Sequence, residues 1–255
     1  MTSENRLHAF SVPQLSLPPA EIRNHDDATY VDSARYNISR IAQVARLSPA
    51  MRVVDIGCAA GRLSLPLLTF LDAKMGGSYV GFDVNPSGPA WASDNITPHF
   101  PNFRYHHVDV HNDYMNGGGR TQPQDFQFPV QSDWADLVIL HSVFTHMREA
   151  GIRGYTREIV RMLRPGGYLY FTLFLFDGEA KLQSDKGTAA WKFPHQEAGV
   201  YLHRLDKPEW AVAVGEPLFS SLGSDYRLQL QQLIRGDWRK GNPGGQDIAF
   251  FKKDA

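Results

Sequence analysis

The stretch at 51–61, Met-Arg-Val-Val-Asp-Ile-Gly-Cys-Ala-Ala-Gly, constrains this chain more than any other. Val53, Val54 and Ile56 form a short β-branched apolar run that suits a buried strand. The run breaks at Gly57 into the small-residue turn Cys58-Ala59-Ala60-Gly61, and Arg62-Leu63-Ser64-Leu65 then opens a segment read as a helix over 62–74. Strand, tight turn and helix, in that order, is how an open α/β sheet begins a nucleotide site. Glycines let the backbone approach a ligand, and a helix N-terminus offers unpaired N–H groups.

The rest of the chain repeats the alternation. Residues 1–25 are polar and proline-bearing and read as an extended lead-in; a single domain is expected over 26–255. Apolar residues at helical spacing (Val31, Ile38, Ile41, Ala42, Ala45) predict a first helix ending at Ser48-Pro49. Strands are predicted at 51–56, 78–84, 103–109, 135–141 and 168–174, with helices near 88–96 and over 148–163, the latter closed by Arg164-Pro165-Gly166-Gly167. The run at 135–141 is almost wholly apolar, as in a central parallel strand buried on both faces. A loop rich in Gly, Asn, Gln and Pro fills 111–132, and 176–210 is irregular; a short helix at 216–222 precedes two closing strands at 226–235 and 247–251. This order predicts a doubly wound parallel sheet with right-handed crossovers. Ligands on such sheets sit at the carboxyl ends of strands. That rule selects Asp55 to Gly61, Asp83, Asp109 and His141.

The turn itself narrows the ligand. It reads D-x-G-x-x-x-G, whereas a dinucleotide site would show G-x-G-x-x-G and a triphosphate loop would end in G-K-[ST]. With no lysine and a carboxylate beside it, it suits a ligand whose charged end is cationic or zwitterionic. Composition agrees. Net charge is −1 with no lysine or arginine block, so nothing marks a nucleic-acid binder. Cys58 is the only cysteine, which excludes an intrachain disulfide and a cysteine-based zinc site. The N-terminus lacks a basic-then-apolar signal and no apolar run is long enough for a bilayer, so a soluble, cytoplasmic protein without membrane partners is expected.

These residues carry a resemblance. V-V-D-I-G-C-A-A-G-R-L, Y-V-G-F-D-V-N-P, V-D-V-H-N, D-L-V-I-L-H-S-V-F-T-H-M and L-R-P-G-G-Y-L occur in the order of the class I S-adenosylmethionine-dependent methyltransferases and cover roughly 51–175. The closing strands around Gly236-Asp237-Trp238 and Gly245-Gln246-Asp247 resemble the branch that methylates sugars and other small molecules. The resemblance implies a Rossmann-like methyltransferase fold: a doubly wound, seven-stranded, mostly parallel sheet with helices on both faces and an antiparallel last strand. It implies S-adenosylmethionine as cofactor and S-adenosylhomocysteine as product. Gly57, Cys58, Ala59 and Gly61 would line the methionine part, and Asp55 would hold the loop and reach the ammonium. Asp83 with Val84 would take the ribose, and Asp109 with the Val110 backbone the adenine. The family often has glycine where Ala59 stands, which implies a slightly tighter pocket. Each carboxylate has a plainer reading as an N-cap or loop-turn aspartate, and Cys58 reads as a small turn residue in preference to a nucleophile.

On the acceptor side, a hydroxyl must lose its proton as it attacks, and histidine is suited to take it. His141 and His146 flank H-S-V-F-T-H-M after the fourth strand. Either is a candidate base; the plainer reading gives His141 a backbone contact and leaves His146 to pack or cap the next helix. Trp191, His195, Tyr201, His203 and Trp210 form either an acceptor lid over 176–210 or a small satellite core. Tyr30, Arg35 and Tyr36 could close over the cofactor or merely cover the sheet edge. Asp177, Glu179, Asp237 and Asp247 show no metal-ligand spacing. The expected function is methyl transfer to a hydroxyl of a sugar, glycoside or secondary metabolite. An N-methyltransferase acting on an amino sugar or other small amine, and a non-catalytic S-adenosylmethionine-binding protein, are the alternatives. A nucleic-acid methyltransferase is disfavoured because His141-Ser142-Val143-Phe144 stands where N-P-P-[YF] would be.

Overall fold

The computed structural model describes residues 10–23 and 26–255. Residues 1–9, 24 and 25 of the expected lead-in therefore lie outside the described residues; within it, Ala20–Arg23 forms one helical turn. Seven strands make one sheet in the order β10-β11-β5-β4-β1-β2-β3. Here β1 is Arg52–Ile56, β2 Ser78–Asp83, β3 Phe103–His107, β4 Ala135–Leu140, β5 Leu163–Leu173, β10 Leu228–Ile234 and β11 Asp247–Lys253. As expected, the last strand, β11, runs antiparallel; it pairs that way with both β5 and β10. The chain divides into two compact units. One holds the described residues up to Val108 with Ala135–Ile139, the other Asp109–Trp134 with Leu140–Ala255.

In the first unit β1, β2 and β3 pair in parallel, with Ile56 opposite Phe82 and Asp83 opposite His107. Asp83 thus lies one step beyond the end of β1, level with the turn that follows it. Helix α1 (Asp27–Ala45) starts on an Asp26 cap that accepts from the Thr29 N–H and ends at Arg46 in the left-handed region. Its buried stripe of Ala34, Ile38, Ile41 and Ala45 packs on the segment that follows the turn. Burying each isoleucine contributes about 1.5–3 kcal/mol. That segment corrects the sequence reading. Arg62–Leu67 is a 3-10 helix, and a second short 3-10 turn forms at Ala73–Met75, where an α-helix over 62–74 was expected. Pro66 is the cause: it has no N–H to bond the Arg62 carbonyl, and its ring would clash there in an α-helix. Helix α2 (Ser87–Asn95) follows β2, and β4 is buried along its whole length, as its composition requires.

In the second unit, helix α3 (Glu149–Met162) runs directly into β5. Arg164-Pro165-Gly166-Gly167 is therefore part of a strand, with only Gly166 in the left-handed region. The stretch at 176–210 is less irregular than its composition suggests. β6 (Leu175–Phe176), β7 (His195–Glu197), β8 (Val200–Leu202) and β9 (Val212–Gly215) form a second, four-stranded sheet in the order β6-β9-β8-β7. Helices α4 (Gly178–Asp185) and α5 (Glu216–Ser224) complete the unit. Phe174, Phe193 and Trp238 are the core beneath the small sheet, with Trp191, Tyr201 and Trp210 packed around them. Among the described residues no helix is long and apolar enough to cross a membrane.

Candidate active site

Each unit carries candidate functional side chains named from the sequence. In the first unit the Phe82 carbonyl accepts from the N–H groups of Gly57 and Cys58, at 2.7 and 3.1 Å, which hooks the turn onto the end of β2. Gly57 and Gly61 have φ of 79° and 78°, a region that costs a side chain about 1–2 kcal/mol. A Cβ at Gly61 would also stand 2.9 Å from the Ser64 hydroxyl and from the Tyr105 ring. Ala59 adopts φ 47° despite its Cβ. What alanine brings to this position is thus backbone strain at an exposed point of an otherwise largely buried turn.

Asp83 braces that strained residue. Its Oδ2 accepts from the Ala59 N–H at 2.7 Å, and its Oδ1 from the Asn85 N–H at 2.8 Å. Burial nonetheless pushes its carboxyl above the usual range, against these hydrogen bonds. The first turn of α2 presses on the same loop, since a Cβ on Gly88 would lie 2.5 Å from the Ala59 carbonyl carbon. Asp55 is fully buried. Tyr79 donates to its Oδ2 at 2.5 Å, while its Oδ1 is buried with no partner. Burial raises its pKa to about 7, with the Tyr79 bond pulling the other way. The Tyr30 hydroxyl, from α1, is likewise buried without a partner. Two orphaned polar atoms and a doubly left-handed glycine cradle, with the charge of Arg62 acting on both Asp55 and Tyr30, fit the amino-acid end of a zwitterionic ligand. Cys58 is buried against Gly81, and burial pushes its thiol well up, so it is no nucleophile.

In the second unit, Asp109 and Val110 follow β3 in the chain. β3 ends at His107, two residues short of the expected limit. The Asp109 carboxylate pairs with Arg120, and the Val110 carbonyl accepts from the Asn116 side chain at 3.0 Å. Past β4, His141 stacks parallel to Tyr170 and shares a 3.2 Å hydrogen bond with its hydroxyl. Ser142, with φ 61°, donates its N–H to Thr172 Oγ1 at 2.7 Å and its hydroxyl to Gln246 Oε1 at 3.1 Å. His146 closes the 3-10 helix Phe144–His146, three residues before α3 begins at Glu149. Its Nδ1 lies 3.0 Å from the Glu209 carbonyl. A carbonyl can only accept, so Nδ1 carries the proton and Nε2 is left as the basic nitrogen. Burial holds the imidazole below its ordinary pKa. The Tyr114 ring stacks on it at 5.5 Å, and Trp210 meets Tyr114 edge-on at 4.9 Å.

Other candidates have structural partners. Trp191 donates to the Pro243 carbonyl and packs with His203 on the Phe174 core, Tyr201 lies on Phe176, and His195 opens β7. The satellite-core reading fits these residues, and Trp210 alone also reaches the His146 cluster. Asp247 is fully buried and accepts from the N–H groups of Leu175 and Gly236, the Trp238 indole and Arg239. Asp177 pairs with Arg235. These acids therefore form internal ion pairs. Sequence reasoning passed over Tyr114 and Glu209. Tyr114 sits in a loop whose composition signals only turns, and Glu209 shows no periodicity beside Lys207-Pro208.

Comparisons with known proteins point one way. Residues 29–214 match a protein family described as "Methyltransferase domain". A ubiquinone biosynthesis O-methyltransferase of Rhizobium rhizogenes is 28% identical over 164 residues, which is 64% of this chain and 52% of the relative. The chain spans about half the length of the curated relatives it matches. Among solved structures, a SAM-dependent methyltransferase from Methanosarcina mazei aligns with TM-score 0.54 at 20% identity, covering 84% of this chain and 97% of the other. Magnesium protoporphyrin IX methyltransferase from Synechocystis, solved with bound SAH, aligns with TM-score 0.57 at 13% identity, covering 98% and 94%. At these identities the structural likeness establishes the fold.

Proposed function

The chain belongs to the methyltransferase-domain family, and from that premise we propose that it transfers the methyl group of S-adenosylmethionine to a hydroxyl of a small molecule. The observation that carries the reading is the 55–61 turn: left-handed glycines, a buried unpartnered Asp55 oxygen and the Asp83 brace, with no phosphate-binding lysine. Gly57, Cys58, Ala59 and Gly61 would meet the methionine part through their main chain, and Asp55 its ammonium. Asp83 and Val84 would take the ribose. By position in the chain, Asp109 and Val110 are assigned to the adenine, Asp109 by exchanging Arg120, and His141 to a main-chain contact. The methyltransferase domain is taken to run from 26 to 255.

When bound, the cofactor supplies a methyl group already activated by a sulfonium. The chain's own task is to orient the acceptor and take its proton. Holding reactants in line can supply roughly 7–11 kcal/mol of a barrier. His146 would take the proton of the acceptor hydroxyl at Nε2. Because burial lowers the imidazole pKa, the ring is neutral and ready at pH 7. His141 is the second candidate for this role. The name of the Rhizobium relatives supports a hydroxyl acceptor.

The test is release of S-adenosylhomocysteine across sugars, glycosides, phenolic metabolites and small amines. His146→Ala should lower turnover of a hydroxyl acceptor by about 10²–10⁴-fold while cofactor affinity holds. Full turnover in both His146→Ala and His141→Ala would remove the histidine base, and confinement of activity to amines would favour N-methylation.

A further inference from the structure

Glu209 touches the His146 cluster twice, by two different groups. Its main-chain carbonyl holds the imidazole Nδ1–H at 3.0 Å. Its side chain, although the residue is only 6% exposed, reaches the 111–116 loop and accepts from the Asp113 N–H at 2.6 Å. That loop is otherwise tied by Asn112, whose side-chain oxygen accepts from the N–H groups of Tyr114 and Met115 and whose side-chain N–H donates to the His146 carbonyl at 2.8 Å. The product of these ties is the placement of Tyr114 on the face of the imidazole, with Trp210, next to Glu209 in the chain, against its edge. Tyr114 is 40% exposed, so burial of its own ring does not hold it there.

We propose that Glu209 is a positioning residue for His146: its carboxylate clamps the 111–116 loop so that Tyr114 covers the imidazole and keeps it dry. The inference rests on reading His146 as the base, but it concerns the surroundings of that ring and can be measured without turnover. The charged and titratable groups facing the clamp are Asp113, His111 and Arg148, with His111 paired to Asp113 and Arg148 to Glu197. None of them takes the acceptor atom offered to the Asp113 N–H. A glutamine would still supply it; an alanine would not. Neither change alters the main-chain carbonyl on Nδ1.

The experiment is an NMR titration of the histidine ring protons in the full chain. His146 is assigned among the 10 histidines by the signal missing from His146→Ala. Glu209→Ala should free the loop, admit water to the ring and raise the His146 midpoint toward its ordinary value of about 6.5. Tyr114→Ala should raise it by the same amount, and the double variant no further. Glu209→Gln should keep the original midpoint. The acidic limb of kcat/KM should follow the titration in each variant, moving to higher pH for the two alanine changes. An unchanged midpoint in Glu209→Ala and Tyr114→Ala overturns the clamp. So does an equal rise in Glu209→Gln, because that variant keeps the acceptor for the loop and loss of the negative charge alone would lower the midpoint. If Glu209→Ala does not fold, Tyr114→Ala and Glu209→Gln still decide the matter. If His146→Ala retains turnover while Glu209→Ala moves the midpoint, the clamp stands and the base assignment falls.

Discussion

Replacing Asp83 with asparagine separates the brace that the structure shows from the ribose contact proposed for this residue. The side chain keeps its shape, but one of its two acceptor oxygens becomes an NH2. The Ala59 and Asn85 N–H groups, now 2.7 and 2.8 Å from separate oxygens, cannot both be satisfied. A hydrogen bond to a charged acceptor contributes about 1.5–3 kcal/mol. Ala59 is exposed, so its N–H can turn to water, which discounts the loss to about 1–2 kcal/mol. For a chain of this size that lowers Tm by about 2–8 °C. The second role is the proposed grip on the ribose hydroxyls. Losing one charge-assisted bond there weakens cofactor binding by about 10–150-fold, because each 1.4 kcal/mol is a factor of ten. Calorimetric titration with S-adenosylhomocysteine, beside thermal unfolding of the free protein, reads both. A lower Tm with unchanged Kd would refute the ribose assignment and leave Asp83 as a brace for the turn. Weaker binding with unchanged Tm would refute the brace.

Asp55 makes stability depend on pH in an uncommon direction. Its folded pKa, about 7, lies above the ordinary value of 3.8, so ionising it costs more in the folded state. Stability from this group is therefore present below about pH 4 and is lost as pH rises to about 7, up to roughly 4 kcal/mol at 1.36 kcal/mol per unit. Asp55→Asn should gain stability on the wild type between pH 5 and pH 8 in urea unfolding; an identical difference at both pH values counts against the reasoning. Ala59→Gly relieves about 1–2 kcal/mol of left-handed strain and gives back about 0.4–1 kcal/mol through the looser unfolded chain. The urea midpoint should rise, and a clear fall would mean that the strain is absent. Asp247→Asn breaks a buried pair and leaves Arg239 only Asp177, 3.8 Å away, as a charge partner, which should cost about 3–5 kcal/mol in unfolding free energy; a loss below about 1 kcal/mol would show that Asp177 takes over the pairing.

The legible parts of the chain were those where one residue type answers one local demand. β4 announces itself because a strand buried on both faces must be apolar throughout. Asp83 was visible as a carboxylate at a strand end, and the family signature lies in just such positions. Other parts depend on partners distant in sequence. Pro66 is plain to read, yet the small residues and leucines around it suggested a helix, and only its missing N–H turned the segment into 3-10 form. β7 and β8 are three residues each, too short for a period, and exist because β9 offers an edge to β8 and β8 in turn offers one to β7. Tyr114 reaches His146 through Asn112, Asp113 and Glu209, a contact across 32 residues that no window of sequence contains.

The 3-10 segment after the glycine turn has a consequence for selectivity among the nucleotides of a cell. A long α-helix starting at Gly61 would have brought the positive end of its dipole to the turn, and with it an attraction for phosphate. Six residues of 3-10 helix interrupted by a proline bring far less, and beside Arg62, which opens them, stand Asp83 and an Asp55 that is only about half ionised near pH 7. Polyphosphate nucleotides share the adenosine half of the proposed cofactor but carry the wrong sign of charge for this turn. They should be weak competitors even in large excess. In this geometry the proline weakens the turn's pull on anions, and the balance of Asp55 and Asp83 against Arg62 sets how much of that pull is left.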